Sequence, residues 1–578
     1  MQKVDIRKIL HAKIPGLFHK YPDFIGNLIV NFMKWFVKVD EVNRFLEIAG
    51  EKRGLDFIES TFNELNFKYI MSQSDKEKIP SEGRLIIVSN HPLGGLDGLA
   101  MLKAISEVRK DVRVVANDIL QNLESLSELF IPLDVYSMTK QKSQILNIEA
   151  ALKDEQAIII FPAGKVSRLR ASGIRDLKWQ NGAIRFSGKT EAPVLPIFIE
   201  GRNSLTFYLS SLININIGML MLPRELFRKR NGSIKIKIGD LIPATTFKNS
   251  QLKISVQTKL LYKHIYKVRD NEPGLFKTEQ TIIHPVEKKN LVEDLGNSRL
   301  LSNTNDDMKI YVVEHDVAPN IIKEISRLRE LTFRKVGEGS GKTFDMDIHD
   351  LYYKHIVLWD DNNNEIVGAY RLGDTHDILD KYGPKGLYNS SLFELSNVYL
   401  DMVDSSLEVG RSFIQQKYWR SNALDYIWQG IGAYLSNYPD IKYLWGNVSL
   451  SDSYPEIAKA LIVKYYSKWY PGDSTLAKPL MVNKFSNKVL ADVDKIIYAD
   501  DLNKDFINLK IALKSLGLSI PVLFRRYSEL TTQGGTQFIS WGVDHNLNNC
   551  IGALILVDLS MIKDEMKERY YSQKSFLV

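Results

Sequence analysis

From residue 84 onward the chain repeats one pattern: a short run rich in isoleucine and valine, sharply ended, then a helical window. "RLIIVSN", "VRVVAND", "QAIIIFPAG", "APVLPIFIEG" and "GSIKIKIGDLIP" recur in this way, with helical windows such as 140–153 between them. Continuous apolar runs this short are strands buried in a sheet, and their alternation with helices specifies an α/β fold. In such sheets functional groups gather on the loops at the strand ends.

At 578 residues the chain is too long for one core. A second α/β pattern begins at "KIYVVEH" and continues through "IKEISRLRELTFRKVG" and "YLWGNVSLSD". Within it, "HIVLWDDNNNEIVGAYRL" reads as a hairpin, two β-rich runs around an Asp/Asn turn. Residues 1–80 read as an amphipathic helical region that can associate with a membrane, and 81–270 as the first α/β domain. The polar stretch 271–307, punctuated by Pro, Gly and Asn, reads as a linker, and 308–578 as the second domain.

A single cysteine, Cys550, excludes an internal disulfide and a cysteine-built metal site. No secretory leader is expected from "KVDIRKILHAKIPG". No window stays apolar for the roughly 18 residues a spanning helix needs. "FIGNLIVNFMKWFVKVDEV" (24–42) and "LTFYLSSLININIGMLMLP" (205–223) come partway. Each reads as a core element or as a surface lying in a lipid interface. Residues 1–300 hold 45 basic against 33 acidic side chains, and the remainder 31 against 36, giving the net +7. Within 151–250 the count is 16 basic to 7 acidic. Such a segment attracts an anionic membrane, a phosphate-bearing ligand or an acidic partner protein. No zinc-finger, homeodomain or RNP-type motif accompanies it, so nucleic acid is not an expected partner.

The stretch "LIIVSNHPLGGLDGLA" ends a strand beside His91 and places an acid, Asp97, six positions on. On a continuous helix the two would lie about 240° apart. Gly94-Gly95 permits a loop that folds the acid back beneath the imidazole. A carboxylate on one ring nitrogen fixes the tautomer and raises the basicity of the other. That makes a general base for an alcohol or amine, a gain of about 10²–10⁴ in rate. The competing reading is a histidine that caps a helix. "IIIFPAGKVSR" (158–168) is a further strand running into Pro162, Gly164, Lys165 and Arg168. Backbone N–H groups beside Gly164, with two cations, form a phosphate grip.

In this order, Asn90-His91…Asp97, Phe161-Pro162-Ala163-Gly164…Ser167 and the strand "APVLPIFIEG" resemble the glycerolphosphate and lysophosphatidic acid acyltransferase superfamily, over roughly residues 60–260. The resemblance implies His91 as base and Asp97 as its orienting partner. It implies a substrate side made of Asn90, Gly94, Gly95, Phe161, Pro162, Gly164, Lys165 and Arg168, with the Gly164 loop holding acceptor or donor phosphate. The six-residue spacing, and Ala163 where the family commonly has glutamate, are similar to the hemolysin-like and aminolipid branch. They turn the expected acceptor away from glycerol 3-phosphate and lysophosphatidate.

In the second half Asp345, Asp347, His349 and Asp350 follow Arg329 and Arg334. They read as a divalent-metal site or, with no further ligand spacing to close a shell, as capping acids paired with those arginines. Gly430 and Gly432 read as packing glycines or as amides that receive a pyrophosphate. As an ordered set, Arg329, Arg334, Asp347, Gly368-x-x-Arg371 and Glu408-Val-Gly-Arg411-Ser412 resemble the ornithine–acyl carrier protein N-acyltransferases, over roughly 309–560. These form a branch of the GNAT fold akin to the acyl-homoserine-lactone synthases. The resemblance implies that Glu408 or a nearby acid deprotonates the substrate amine. Arg371 and Arg411 would hold carboxylate or phosphopantetheine phosphate, with Arg329, Arg334, Asp347 and Ser412 on the substrate side.

The succession of the two modules is similar to the bifunctional ornithine-lipid synthases of bacteria. It implies N-acylation of ornithine or a similar amino acid by a 3-hydroxyacyl chain from acyl carrier protein or CoA, then O-acylation of the 3-hydroxyl of the lyso-lipid. No resident cofactor or metal is implied. The expected location is cytoplasmic, peripheral on the anionic inner face of the bacterial membrane. One rival expectation is a single-activity lysophospholipid or 1-acylglycerol-phosphate acyltransferase with a non-catalytic GNAT-like module. Another is a non-catalytic binder that uses the basic face.

Overall fold

The computed structural model describes residue 7 and residues 23–50, 52–116, 124–133 and 138–571. The chain divides into two compact units, Met1–His284 and Pro285–Val578.

The first unit is built on a seven-stranded sheet. From edge to edge its strands are Lys68–Ile70, Ser233–Ile238, Val194–Glu200, Leu85–Ser89, Ala157–Ile160, Val112–Ala116 and Phe130–Pro132. All neighbours are parallel except Val194–Glu200 and Ser233–Ile238. The unbroken apolar runs follow from this architecture, because both faces of the sheet are covered. Leu85 and Ile87 enter one core with helices Gly54–Leu65 and Gly95–Ser106, while Ile86 and Val88 enter the other with Met138–Lys153, Gly182–Thr190 and Ile254–Arg269. Each fully buried aliphatic side chain contributes about 1.5–3 kcal/mol, so an alternation of polar residues would forfeit one core. The sheet also reaches back before residue 81, since Lys68–Ile70 pairs with Ser233–Ile238.

The second unit carries an eight-stranded sheet in the order Arg299–Asn303, Lys309–Val313, Lys354–Asp360, Glu365–Asp374, Ser406–Ile414, Tyr443–Leu450, Cys550–Asp558 and Thr536–Asp544. Its hairpin Lys354–Asp360/Glu365–Asp374 has the Asp/Asn turn expected from the sequence. Helix Pro319–Val336 packs one face through Ile321, Ile322, Ile325 and Leu328, and helix Ala423–Leu435 packs the other. Ser406–Ile414 and Tyr443–Leu450 form the parallel pair of this sheet. They are bonded from Ser406↔Tyr443 to Val409↔Gly446, and beyond that point the two strands part. The segment 271–307, expected as linker, contains helix Lys288–Gly296 and edge strand Arg299–Asn303. Its polarity is that of a sheet edge and a surface helix, where the buried hydrophobic residues are Leu291, Leu295 and Leu301.

Gly430 and Gly432 are packing glycines. A Cβ on Gly430 would lie 2.6 Å from Ile356 and 2.7 Å from Ile310, and one on Gly432 would lie 2.1 Å from the Tyr570 carbonyl oxygen. Neither has room for a pyrophosphate. Gly432→Ala is expected to destabilise the second unit by about 1–3 kcal/mol through overpacking. Hydrogen exchange of the Ala423–Leu435 amides measures it; unchanged protection would contradict this account.

Candidate active site

Strands Leu85–Ser89 and Ala157–Ile160 are adjacent, with Val88 opposite Ile160, so their following loops emerge side by side. The helix after the first strand covers one face and the helix after the second covers the other. This is the arrangement that opens a crevice at the carboxyl ends of the strands. His91 and Phe161 meet there, with ring centroids 4.4 Å apart. The Ser167 N–H donates to the His91 carbonyl at 2.8 Å and ties the two loops together.

The chain turns at Gly94, whose φ of +94° lies in the region that L side chains rarely adopt. A Cβ there would also lie 3.3 Å from both Val166 and Leu222. Helix Gly95–Ser106 starts next, which puts Asp97 in its first turn. Asp97 Oδ2 accepts N–H bonds from Leu93 at 2.7 Å and Gly94 at 3.0 Å. The same oxygen stands 3.1 Å from His91 Nδ1; the acid is fully buried and the imidazole 18% exposed. The two groups are within ion-pair distance, and among the described residues Nδ1 makes no hydrogen bond.

The other expected residues divide. Asn90 is buried and spends its amide on the neighbouring strand: Nδ2 donates to the Ile199 carbonyl at 2.9 Å and Oδ1 accepts the Ile199 N–H at 2.7 Å. It therefore positions the loop and is not available to substrate. Pro162 is buried, and Gly164 turns the chain at φ +60° with its N–H on the Phe161 carbonyl. Lys165 is half-buried on the same turn. Arg168 is buried; Nη1 reaches the carbonyls of Val166 and Ser167, while Nε and Nη2 are buried without partners. Its guanidinium lies over the Phe207 ring at 4.9 Å.

Asp176 was not singled out by motif. Its Oδ1 accepts the His91 N–H at 3.2 Å and the Ser167 hydroxyl, and its Oδ2 accepts Trp179 Nε1 at 2.9 Å. Burial raises its carboxyl above the usual range, against the pull of those donors. The aspartate lies 85 positions from His91, and only Trp179 three residues on hints at a structural role.

Beside this crevice, Phe207, Tyr208 and Met221 pack with Val166, while the outer sides of helices Leu205–Ile213 and Ile215–Leu220 expose Leu205, Leu209, Leu212, Ile213 (83%) and Leu220. Helix Asp23–Val37 exposes Phe24, Leu28, Phe32 and Trp35, and Arg224 lies over the Trp35 ring at 5.2 Å. Among the described residues no helix is long and apolar enough to cross a membrane.

In the second unit the sequence-expected residues assemble into a buried network of charges. Arg329 donates to Asp345 at 2.7 Å and to both oxygens of Asp350 at 2.9 and 2.8 Å. Arg371 reaches Asp347 at 2.8 Å and Asp350 at 3.2 Å, and Arg411 reaches Asp345 at 3.0 Å and the Tyr388 hydroxyl at 3.1 Å. His349 and His355 flank the acids, on Asp347 at 3.1 Å and Asp350 at 3.2 Å. The acidic loop is thus neutralised by guanidinium groups, as the charge-pairing reading expects for Arg329. Arg334 instead pairs with Glu330 at 2.6 Å. Burial alone would raise the Asp350 carboxyl, but Arg329 and Arg371 hold it well below the ordinary range. Asp347 is lowered likewise, burial being outweighed by Arg371.

Two expectations change. Arg329, fully buried and bonded at every nitrogen, holds the loop and not a ligand. Glu408, 2% exposed, accepts from the Tyr353 hydroxyl, the Tyr388 N–H (3.1 Å), the Asn389 N–H (2.8 Å) and Asn389 Nδ2 (2.6 Å). A carboxylate occupied by four donors is framework, not a base. Arg411 sits at φ +53° in a bulge of its strand, with half-buried Ser412 next to it.

Arg329→Ala leaves Asp345 and Asp350 buried without their cation, and is expected to destabilise the second unit by about 3–5 kcal/mol. Urea denaturation followed by hydrogen exchange measures it; a ligand-holding arginine would leave stability near wild type. Because Asp347 and Asp350 have lowered carboxyls, the network stabilises above the unfolded aspartate range of about 4 and is lost as pH falls below it.

Both halves of the chain are similar to known proteins. Residues 8–272 match the acyltransferase family, and residues 328–429 match the acetyltransferase (GNAT) domain. The lyso-glycine lipid O-acyltransferase of Phocaeicola vulgatus is 36% identical over 251 residues, covering 42% of this chain and 88% of that protein. Its namesake from Bacteroides thetaiotaomicron is 35% identical over 256 residues, covering 43% of this chain and 91% of that protein. The glycine N(alpha)-acyltransferase of Phocaeicola vulgatus is 30% identical over 309 residues, covering 50% of this chain and 92% of that protein. The chain belongs to the acyltransferase family and is an acyl-transferring enzyme with a second, GNAT domain in its C-terminal half.

Proposed function

We propose that the protein is a bifunctional aminolipid synthase. The second unit N-acylates an amino acid with a 3-hydroxyacyl chain, and the first unit then esterifies the 3-hydroxyl of the product. The observation that carries the reading is the His91–Asp97 pair, partly open to solvent at the strand ends. It is joined by relatives named for both halves of such a synthesis, each matching about half of this chain. The sequence resemblance implies ornithine as the amino acid. The relatives are named for glycine, and glycine is the head group we favour. Acyl carrier protein is the proposed donor for the N-acylation, with CoA as the other thioester.

In the ester-forming step His91 Nε2 takes the proton of the 3-hydroxyl as its oxygen attacks the thioester carbonyl. The C–O bond forms, the C–S bond breaks, and the thiolate leaves with the proton from the imidazolium. Asp97 stabilises that imidazolium through Nδ1. The amino-acid head carries a carboxylate in place of a phosphate, and the unpartnered Nε and Nη2 of Arg168 suit a carboxylate's two oxygens. The exposed apolar helices beside the crevice support peripheral contact with the anionic inner face of a bacterial membrane, where a lyso-lipid would reside.

Lipid mass spectrometry of a bacterial host expressing the chain tests this. The wild type is expected to yield a doubly acylated amino-acid lipid, and His91→Ala to halt at the N-acylated mono-acyl species. Wild-type levels of ester in His91→Ala, or a head group without an amino acid, would overturn the reading. Leu209→Glu with Ile213→Glu is expected to lower co-sedimentation with anionic phospholipid vesicles at least tenfold; undiminished binding would contradict the membrane contact.

A further inference from the structure

The parting of Ser406–Ile414 from Tyr443–Leu450 leaves Asn447–Leu450 paired on one side only, to Cys550–Asp558. The partner strand stays on its own side, with Gly410 on Arg371 and Phe413 on Ala369. Gly446 closes the paired stretch, where a Cβ would lie 2.0 Å from the Val409 carbonyl oxygen. Past it, Asn447 Oδ1 and Arg411 Nε are buried without partners.

Glu338 reaches this opening from the end of helix Pro319–Val336. The helix stops at Gly337 (φ +80°), and the Glu338 N–H returns to the Phe333 carbonyl at 2.8 Å. That turn aims the side chain at the separated strand, where Oε2 accepts the Ser449 hydroxyl at 2.8 Å. The residue is 8% exposed, and among the described residues no cation forms an ion pair with it. Asp345, Asp350, Glu324 and Glu330 have guanidinium partners and Glu408 has four donors, while Asp544, among the described residues also without a paired cation, accepts the Tyr388 hydroxyl at 2.6 Å and the Asn546 N–H at 2.9 Å.

We propose that Glu338 is the general base of N-acyl transfer, placed where the two strands part to receive the proton of the attacking amine. The inference rests on the N-acyl-transfer reading. The amine binds as its free base, and its nitrogen attacks the thioester carbonyl. As the C–N bond forms, the surplus nitrogen proton passes to the Glu338 carboxylate. The C–S bond breaks and the thiolate leaves with that proton, regenerating the carboxylate. Burial pushes the Glu338 carboxyl up to about 7; Ser449 and Arg411 favour the charged form and Asp544 opposes it. The Cys550 thiol and the Tyr454 hydroxyl also feel its charge, and both are raised mainly by burial. A base in this range is ionised for about half the chains at neutral pH and still accepts a proton readily.

The test measures thiol release by the full-length protein from a 3-hydroxyacyl thioester and glycine between pH 5.5 and 9.5 (a range of about four units around the expected limb). Wild-type kcat/KM is expected to rise through a limb near 7, distinct from the amine's own ionisation. Glu338→Gln keeps the shape and the Ser449 contact, and is expected to lose that limb and about 10²-fold or more in rate, with thioester KM within threefold. Ser449→Ala removes a donor to the carboxylate and is expected to move the limb to higher pH. Glu338→Gln within threefold of wild type, or a uniform loss that leaves the limb in place, would overturn the proposal. If the limb vanishes in His349→Gln instead, the base is His349. A wild-type chain that esterifies but releases no thiol with glycine, ornithine or lysine overturns the N-acyl reading together with this one.

Discussion

One oxygen of Asp97 has three groups to answer: two backbone N–H donors at the start of a helix and an imidazole from the preceding loop. Its position follows from the strand ending at Ser89 and from the φ at Gly94, which brings the loop back on itself. Leu93 and Gly94 hold the carboxylate still in the first turn of the helix. The imidazole therefore meets an acid that is already oriented. Asn90, Asp176 and Ser167 do the same for the loops around it, so the imidazole is held by buried polar groups on neighbouring segments.

The second unit solves a different problem with the same residue types. Three buried arginines meet two buried aspartates and the half-buried Asp347, and charges out of water persist only when each is matched. Asp345, Asp347 and Asp350 are each shared between partners, so the network locks the acidic loop to helix Pro319–Val336 and to two strands. Residues that look like ligand holders along the chain are thereby consumed as framework. Glu338 stands outside that pairing, beside strands that have come apart.

Much of the architecture was legible along the chain. Apolar runs such as "LIIVS" and "AIII" could only be strands covered on both faces, and the hairpin at 354–374 was written in its Asp/Asn turn. The His91–Asp97 pairing was legible too, because six residues with two glycines between are local. Asp176 and Glu338 were not. Each gains its meaning from a partner about 80 or more positions away, on a strand or loop brought near only by the sheet.

By itself the sequence determined that two α/β units follow one another and that an acid could fold beneath His91, since short-range periodicity and glycine placement decide both. Which arginines are spent in ion pairs, whether Glu408 or Glu338 takes the larger share of donors, and where two strands separate were decided only by tertiary structure. Those outcomes depend on which distant groups are buried together, and burial is a property of the folded whole.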